Sequence, residues 1–575
     1  MSRRGVHHLL AASAVLVALG LTLYTASLSF PFILDSVPNL AEVSAIKSFH
    51  QLAGYFLPRY PESIGTSIGV AEYYRPLGIV AYLSECLLFG ENSAGWNLIS
   101  LLMHITVAIL VYLFSSRIIP DRKYALLAAM IFLVHPVQVE TVCMVSCVIA
   151  SLSAVFILSA LLLFQNGIRT GSVKWPAVGM ILFLYAFALL SKESSIILPF
   201  LIFAYDVLCA QKRNVFKIVR ENLLLYGGLL IVVLVFFCFR IYYLKLGYSW
   251  NVHTEVFPER FLTSSKLFLG YLRIMLFPFD LHYFRAQELL QFHFNLSAVA
   301  YLLLWPLLIL LTLVFKKIDR VLCFGWLWFI ITLFPTLPLV LPLYLEGATL
   351  VVSDHFLYFP SIGFSIFTAA VLLRVKERIS FLNKDNRDRW FYSGVCALII
   401  LPLFGTTLSY QPFWKSDLAI FKRSARFEPG VARIREGLGD CYYLEGSWDL
   451  AISEYQSAVA SSPRSLKEGV TRKYQDAIFL NLKRKLATSY LNKGMIRDAA
   501  REFEDLIKRQ EKREAGDCIQ LAVLYNQIKE YDRAEEILTG LLVGLGLENK
   551  TDDRALFIKN FLQDIRQKKM GKKTP

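Results

Sequence analysis

Residues 353–378 have the sequence SDHFLYFPSIGFSIFTAAVLLRVKER. A polar motif is followed by an apolar run over 356–373, and a basic segment then extends from Arg374 to Arg389. A helix needs roughly 20 apolar residues to cross a bilayer, and Lys and Arg collect in cytoplasmic loops. This stretch therefore predicts a membrane-spanning helix with a cytoplasmic basic end and a polar motif on the opposite side of the membrane.

The composition of the 575-residue chain extends this interpretation to most of its length. The chain is 55% hydrophobic, only 18% charged, and carries a formal net charge of +15. Charged residues make up about 12% of residues 1–409 but about 33% of residues 410–575. This contrast predicts a transmembrane domain over 1–409 and a water-exposed domain over 410–575. Because the basic residues of the first domain cluster between apolar runs, they indicate membrane orientation rather than nucleic-acid binding.

Eleven apolar runs alternate between loops rich in Lys and Arg and loops that contain few of them, with the N-terminus inside. We therefore predict about eleven crossings, which places residues 410–575 outside the cytoplasm. If the apolar stretches 77–90 and 260–278 also crossed the membrane, basic and non-basic loops would no longer alternate. We therefore expect these two stretches to form juxtamembrane helices on the outer surface. The eleven runs are 9–31, 96–115, 124–135, 142–165, 175–190, 194–210, 221–245, 296–315, 319–341, 356–373 and 391–409.

The C-terminal region contains internal repeats. One unit has Leu438, Gly439, Tyr442 and Gly446, followed by Ala451, Tyr455, Ala458 and Pro463. Two further units begin at Leu486 and Leu521, and a degenerate half-unit with Phe421 and Pro429 precedes them. The offsets match the 34-residue helix–turn–helix pattern of tetratricopeptide repeats. They predict an α-solenoid, which suits protein binding better than catalysis.

Polar motifs lie in the short loops predicted to face outward, where a polar group beside apolar helices is costly unless it is used. The ordinary alternatives are a solvated helix cap, a proline kink and an internal ion pair. Together these loops gather several acids, cations and imidazoles on one side of the membrane. The candidate residues are Asp35, Arg75, His135, Glu140, Lys192, Glu193, Asp354 and His355. The nine cysteines show no paired spacing, so we predict neither a disulfide framework nor a zinc site.

This set, in this order, resembles the transmembrane-and-tetratricopeptide-repeat O-mannosyltransferases of the GT-C superfamily of polyprenyl-phosphate-sugar transferases. The segments that carry the resemblance are FILDSVPNL, YYRPL, HPVQVE, LLSKESSIILP and DHFLYFPSIGF, followed by the repeats. The resemblance implies an all-α protein, with a polytopic GT-C-like helix bundle followed by the repeat solenoid. The outer loop and a juxtamembrane helix would occupy residues 32–95.

The resemblance also implies roles for the polar residues. Asp35 would be the general base for an acceptor hydroxyl, and Arg75 with Lys192 would offset charge on the departing phosphate. Glu140 is a second catalytic candidate. The substrate-binding candidates are Arg75, His135, Lys192, Glu193, Asp354 and His355.

The chain departs from the family pattern at several positions. The family usually has a second acid where Ser36 stands, and often Arg and then Asp where Val148 and Ala150 stand. Phe356 occupies a position where Arg or Tyr is common. Glu42 or Glu140 could supply the missing acid. These departures leave a weakened or redirected catalyst as an alternative.

Two functions from different classes follow. The first is an inverting membrane glycosyltransferase that moves a hexose, with mannose favoured, from a polyprenyl-phosphate donor to a protein Ser or Thr hydroxyl outside the cytoplasm. The second is a catalytically weak or inactive scaffold whose repeats recruit envelope or secretory-pathway proteins; a transporter is a weaker third. The expected partners are the lipid-linked donor, an acceptor or partner protein and membrane lipid, without nucleic acid. We expect no resident cofactor, with a divalent metal left open, in a bacterial inner membrane or an endoplasmic reticulum membrane.

Overall fold

The computed structural model describes residues 3–46, 48–54, 74–170, 173–210, 215–243, 257–288, 290, 295–337, 345–346, 349–379, 385–462, 470–510, 513–546 and 553–571. The chain divides into two compact units. Unit 1 comprises Met1–Tyr283, Gln287–Leu343 and Val352–Ser416, and unit 2 comprises Phe284–Ala286, Tyr344–Val351 and Asp417–Pro575.

Unit 1 is a bundle of apolar helices, as predicted. Its helices are α1 Arg3–Tyr24, α2 Ser36–Ser44, α3 Phe49–Gly54, α4 Pro76–Phe89, α5 Ser93–Ser115, α6 Arg122–Val134, α7 Val139–Cys143, α8 Val148–Arg169, α9 Trp175–Ser191, α10 Leu198–Tyr205, α11 Val215–Glu221, α12 Leu223–Cys238, α13 Phe257–Leu276, α14 Leu296–Ile318, α15 Arg320–Leu333, α16 Tyr358–Arg378 and α17 Asp385–Tyr410. Short 3-10 turns connect several of them, and π-helical turns at Asp206–Ala210 and Phe239–Tyr243 follow α10 and α12.

The described residues contain seven helices that are long and apolar enough to cross a membrane, or eight if the bent pair α6 and Pro136–Cys143 counts as one span. The predicted number was about eleven. The difference arises where a run is short or broken: Trp175–Ser191 and Arg320–Thr336 are shorter apolar helices, and 194–210 is divided among three kinds of helix. Neither α4 nor α13, the predicted juxtamembrane helices, is among the long spans.

Two glycines allow α15 and α16 to pack closely. A Cβ added at Gly363 would lie 2.7 Å from the backbone oxygen of Gly325 and 2.7 Å from the backbone nitrogen of Phe329. The indole N–H of Trp328 also donates to the carbonyl of Phe359, at 3.0 Å. The LYFPSIGF motif therefore positions α16 within the bundle.

Tyr358, from the same motif, ties α16 to two more helices. Its hydroxyl oxygen accepts a bond from the Ser151 hydroxyl at 3.0 Å and lies 3.1 Å from Nδ1 of His104. All three side chains are buried. Buried polar groups need such partners, so this motif contributes to the folding of the bundle.

Unit 2 contains the predicted helical repeats. Its helices are α18 Asp417–Phe427, α19 Ala432–Leu444, α20 Trp448–Ser461, α21 Val470–Asn492, α22 Ile496–Arg509, α23 Ala515–Gln527, α24 Tyr531–Gly544 and α25 Asp553–Gly571. Ala451, Tyr455 and Leu486 share one buried cluster, and the ring of Tyr455 fills the space beside Gly439. Residues 463–469, which include Pro463 of the first repeat, lie outside the described residues.

Three short strands depart from a purely helical chain. Strands β1 Arg285–Glu288, β2 Leu345–Glu346 and β3 Thr349–Val352 form one sheet in the order β1-β3-β2. Strands β2 and β3 are antiparallel, with Leu345 opposite Leu350 and Glu346 opposite Thr349. The strands arise from loops that separate the apolar runs, where hydropathy carries no strand signal.

Candidate functional site

The first loop presents Asp35 to solvent. Leu34 has a φ of +48°, a left-handed conformation that is uncommon for a bulky residue. Asp35 follows as the N-cap of α2, yet its side chain makes no capping hydrogen bond and is exposed. Ser36, by contrast, is buried, and its hydroxyl oxygen accepts a 3.4 Å bond from the backbone N–H of Ser146. The chain thus exposes one acid here and turns the next side chain inward.

Arg75 and Glu193 form a bidentate ion pair across 118 residues of sequence. Nε of Arg75 donates to Oε2 of Glu193 at 2.9 Å, and Nη2 donates to Oε1 at 2.6 Å. Arg75 precedes α4, whereas Glu193 starts the 3-10 turn after α9. Burial raises the pKa of Glu193, but the charge and hydrogen bonds of Arg75 outweigh it and lower that pKa to about 2.

Lys192 lies beside this pair without joining it. Its side chain is half-buried, and within the described part of the chain its ammonium makes no hydrogen bond or ion pair. Burial and the neighbouring charge of Arg75 lower the pKa of Lys192. Because a partly desolvated cation gains most from an anionic partner, this ammonium is suited to binding an anionic group.

Glu140 and His355 form the second pair of the site. Oε1 of Glu140 lies 2.6 Å from Nδ1 of His355, and Oε2 accepts the backbone N–H of His355 at 3.1 Å. The side chain of Glu140 is fully buried and that of His355 is 20% exposed. The pair joins α7 to the turn that begins α16.

Four of the predicted residues lie in the electrostatic neighbourhood of Cys147. The charges of Glu140, Lys192, Asp35 and Arg75 all act on its thiol. Glu193 and His355 are joined to this group through their ion pairs. Six of the eight predicted residues, from five separate segments of the sequence, are therefore linked through this neighbourhood and the two ion pairs.

The other two predicted residues, His135 and Asp354, are buried. Nδ1 of His135 accepts the backbone N–H of Val137 at 3.3 Å, and Nε2 lies 3.0 Å from the carbonyl oxygen of Met275. Both ring nitrogens are thus occupied by backbone groups. Asp354 starts the turn that carries His355. A substrate-binding role for either residue stays a prediction.

Sequence reasoning missed two residues that adjoin the site. Arg240, in the π-helical turn after α12, is buried, and its charge acts on Glu193. Tyr82 donates from its hydroxyl to the carbonyl of Ser146 at 2.6 Å. A lone arginine inside the apolar run 221–245 is the signal that could have identified Arg240, because an intramembrane charge is rarely without function. Nothing distinguishes Tyr82 in the sequence.

The site and the basic clusters lie at opposite ends of the helices of unit 1. His355 precedes the 21-residue α16, and Arg374, near its other end, pairs with Asp319. That helix is about 30 Å long at 1.5 Å per residue, which matches the hydrocarbon thickness of a bilayer. Lys123 and Lys376 share Asp388 at the same basic end.

The donor set does not form a metal centre among the described residues. No group of three His, Cys, Asp or Glu side chains there is arranged to hold a metal ion. The site thus consists of an exposed carboxylate, an ammonium without an ion pair among the described residues and two ion pairs, an arrangement that can take up an anion beside a hydroxyl group.

Comparisons with known proteins agree with the motifs. Residues 80–242 match the family model described as dolichyl-phosphate-mannose-protein mannosyltransferase, and residues 418–465 match a tetratricopeptide repeat model. The first match includes His135, Glu140, Lys192 and Glu193. It leaves Asp35, Arg75, Asp354 and His355 outside.

Three curated relatives match most of the chain. Protein O-mannosyl-transferase TMTC3 of Mus musculus is 24% identical over 73% of this chain and 47% of its own length. Protein O-mannosyl-transferase TMTC1 of Homo sapiens is 22% identical over 68% of this chain and 48% of its own length. Protein O-mannosyl-transferase F38B6.6 of Caenorhabditis elegans is 20% identical over 80% of this chain and 63% of its own length.

The chain therefore spans about half the length of the first two of these relatives. The membrane-length helices and these matches make it a multi-pass membrane protein. The resemblance seen in the motifs is confirmed: this chain is similar, over most of its length, to the transmembrane-and-tetratricopeptide-repeat O-mannosyltransferases.

Proposed function

We propose that this protein is a membrane glycosyltransferase that moves mannose from a polyprenyl-phosphate donor to a Ser or Thr hydroxyl of a protein. The observation that supports the proposal is that the exposed carboxylate of Asp35 and the Lys192 ammonium, which makes no ion pair among the described residues, both act on the thiol of Cys147. The names of the matched relatives supply the reaction class. The reaction takes place on the extracytoplasmic side, in a bacterial inner membrane or the endoplasmic reticulum.

Asp35 is the proposed base. A Ser or Thr hydroxyl is a weak nucleophile until a positioned group removes its proton. As the proton moves to Asp35, the acceptor oxygen bonds to the anomeric carbon, and the bond from that carbon to the phosphate oxygen breaks. The electron pair of that bond leaves with the polyprenyl phosphate. Attack opposite to the leaving group inverts the anomeric configuration.

Lys192 and Arg75 are the proposed phosphate-facing cations. Fixed positive charge stabilises a departing phosphate most when it is already in place. The Glu193 carboxylate holds the Arg75 guanidinium with two hydrogen bonds, so that its position is set before substrate arrives. Lys192 supplies an ammonium that makes no ion pair with any described acid.

The test is mannose transfer by the purified full chain from a polyprenyl-phosphate donor. Asp35→Asn keeps the size and polarity of the side chain but cannot take the proton, so we expect a fall of about 10²–10⁴-fold in turnover. Lys192→Gln should also reduce turnover. Asp532→Asn changes an exposed acid of α24 and serves as the matched control. Unchanged transfer in Asp35→Asn would remove Asp35 from the mechanism.

A scaffold function is the second candidate, and one observation favours it. Ser36, Val148 and Ala150, the positions at which the chain departs from the charged residues usual in the family it resembles, are all buried, and Val148 packs in an apolar cluster. If the wild-type protein transfers no sugar from any polyprenyl-phosphate donor while the chain retains a partner through residues 417–575, the scaffold is supported instead.

A further inference from the structure

The pair formed by Glu140 and His355 has a chemical consequence that differs from phosphate binding. A carboxylate has no proton to donate, and Glu140 accepts from the backbone N–H of His355 as well as from its ring. Nδ1 of His355 therefore carries a proton. When the imidazole is neutral, Nε2 has a lone pair and accepts a hydrogen bond.

The surroundings keep Nε2 available. Within the described part of the chain Nε2 of His355 has no hydrogen-bonding partner, and the side chain is 20% exposed. The fully buried Glu140 carboxylate holds the ring through Nδ1 and the backbone of the same residue through its N–H. The neutral ring cannot donate to a phosphate oxygen from this nitrogen, whereas it can accept from a hydroxyl group.

The neighbouring side chain adds an apolar surface. The ring of Phe356 is half-buried, and its centroid lies 4.7 Å from that of His355 at an interplanar angle of 76°. Ligand sites commonly combine an apolar or aromatic wall with a few precisely placed polar groups that fix orientation. A pyranose ring offers both complements, since it has C–H faces and equatorial or axial hydroxyls.

From these contacts we infer that His355, held by Glu140 and flanked by Phe356, accepts a hydrogen bond from a hydroxyl of the transferred sugar and so sets donor specificity. Glu140 is the positioning residue of the pair. The inference rests on the proposed function, because it assigns the sugar part of the donor to this pair and the phosphate to Lys192 and Arg75. A site built to bond a hydroxyl discriminates strongly against an analogue that lacks it, because the protein acceptor is then left unpaired.

The experiment measures binding without turnover. The full chain in detergent or nanodiscs is titrated calorimetrically with polyprenyl-phosphate mannose and with its monodeoxy analogues. We expect the wild-type protein to bind one analogue at least tenfold more weakly than the full donor. His355→Phe should weaken binding of the full donor at least tenfold and bind that analogue and the donor equally.

Two further variants separate recognition from folding. His355→Gln retains an acceptor oxygen and should recover part of both affinity and discrimination. Glu140→Gln, which loosens the ring, should reduce discrimination while leaving the apolar contact. His50→Phe makes a matched change at an exposed histidine of α3 and should bind as the wild type does. Thermal unfolding of each variant is recorded, and if His355→Phe does not fold, His355→Gln carries the comparison.

The two proposals fail in different ways. Wild-type discrimination that persists unchanged in His355→Phe, or in His355→Gln if the Phe variant does not fold, would overturn the assignment of His355. A protein that shows His355-dependent discrimination yet transfers no sugar would overturn only the proposed transfer reaction. A protein that binds no polyprenyl-phosphate hexose would overturn both.

Discussion

Arg75 is the main cause of the low pKa of Glu193, and the charge of Arg240 adds to its effect. Its folded pKa of about 2 lies below the ordinary value of about 4.3 for a glutamate. A carboxyl group with a depressed pKa stabilises the fold at pH values above its ordinary pKa. That stabilisation is lost as the pH falls from about 4.3 towards about 2.

The prediction at this residue concerns thermal stability against pH. Glu193→Gln should lower the unfolding temperature at pH 7, because it removes the negative partner of a half-buried guanidinium. The difference in unfolding temperature between the wild type and the variant should become smaller as the pH drops below about 4.3. Glu91→Gln alters an exposed acid and should show no such difference. A difference that stays constant down to pH 3 would contradict the assigned pKa shift.

Residue identities were easier to predict from the sequence than their partners. Asp35, Lys192 and His355 were recognisable because polar groups beside apolar runs are costly. The pairing of Glu140 with His355 joins residues 215 positions apart, and that of Arg75 with Glu193 joins residues 118 apart. Such contacts depend on how the helices pack, which hydropathy along one chain does not encode.

At the scale of elements, the contact between α15 and α16 depends on two glycines. Gly363→Ala would place a methyl group 2.7 Å from backbone atoms of Gly325 and Phe329, and a backbone cannot rotate away as a side chain can. Overpacking of this kind costs about 1–3 kcal/mol. We expect a lower unfolding temperature in detergent.

The matched control is Gly394→Ala on α17, where a Cβ meets no atom within 4 Å. There the change should be neutral or stabilise by up to about 1 kcal/mol, because alanine favours helix. Equal unfolding temperatures for the two variants would argue against close packing of α15 and α16.

The repeats allow a second prediction at this scale. Ala451 is fully buried between α19, α20 and α21, so Ala451→Asp would bury an unpaired charge at a cost of several kcal/mol. We expect new protease cleavage sites within 417–575 while the membrane-spanning unit stays intact. Leu450→Asp, at a neighbouring 50% exposed position, is the control and should resist cleavage as the wild type does.

The sequence predicted the elements unevenly. The repeat offsets placed Ala451 and Tyr455 in the core correctly, because a fixed period repeats the same burial pattern. The apolar runs located the membrane helices, but not the π-helical turns at Asp206–Ala210 and Phe239–Tyr243. A continuous apolar run has no feature that distinguishes an unbroken helix from a locally widened one.

At the scale of the whole molecule, unit 1 has two chemically different ends. One end gathers Asp35, Arg75, Lys192 and the pair of Glu140 with His355, whereas basic residues and their acidic partners occupy the other. Because cytoplasmic loops attract Lys and Arg, the site end is predicted to face away from the cytoplasm. This orientation follows from the two ends of unit 1 and is the same for any number of crossings.

Helix α17 runs from the basic end of unit 1 to the end that carries the site. The helix starts near Asp388, which binds Lys123 and Lys376 at the basic end. Near its other end, the hydroxyl of Thr407 donates to the carbonyl of Val134. Gln411, the first residue after the helix, donates to the carbonyl of Leu23. Leu23 and Val134 lie at the ends of α1 and α6 that lead towards Asp35 and Glu140. Unit 1 therefore ends at the site end of the bundle.

A tag attached after Pro575 should consequently lie outside the cytoplasm, and a tag at Ser2 inside. Protease added to right-side-out bacterial spheroplasts that carry the protein should remove the first tag and leave the second until the membrane is permeabilised. A single cysteine introduced at Lys123, in a background without the native cysteines, should react with an impermeant maleimide only after permeabilisation. If the C-terminal tag is cytoplasmic while the cysteine at Lys123 reacts only after permeabilisation, the C-terminus does not lie on the same side of the membrane as the site. That conclusion holds for any number of spans. If the C-terminal tag is cytoplasmic and the cysteine at Lys123 is accessible from outside, the bundle has the opposite orientation and the site faces the cytoplasm. This result would exclude an extracytoplasmic transferase.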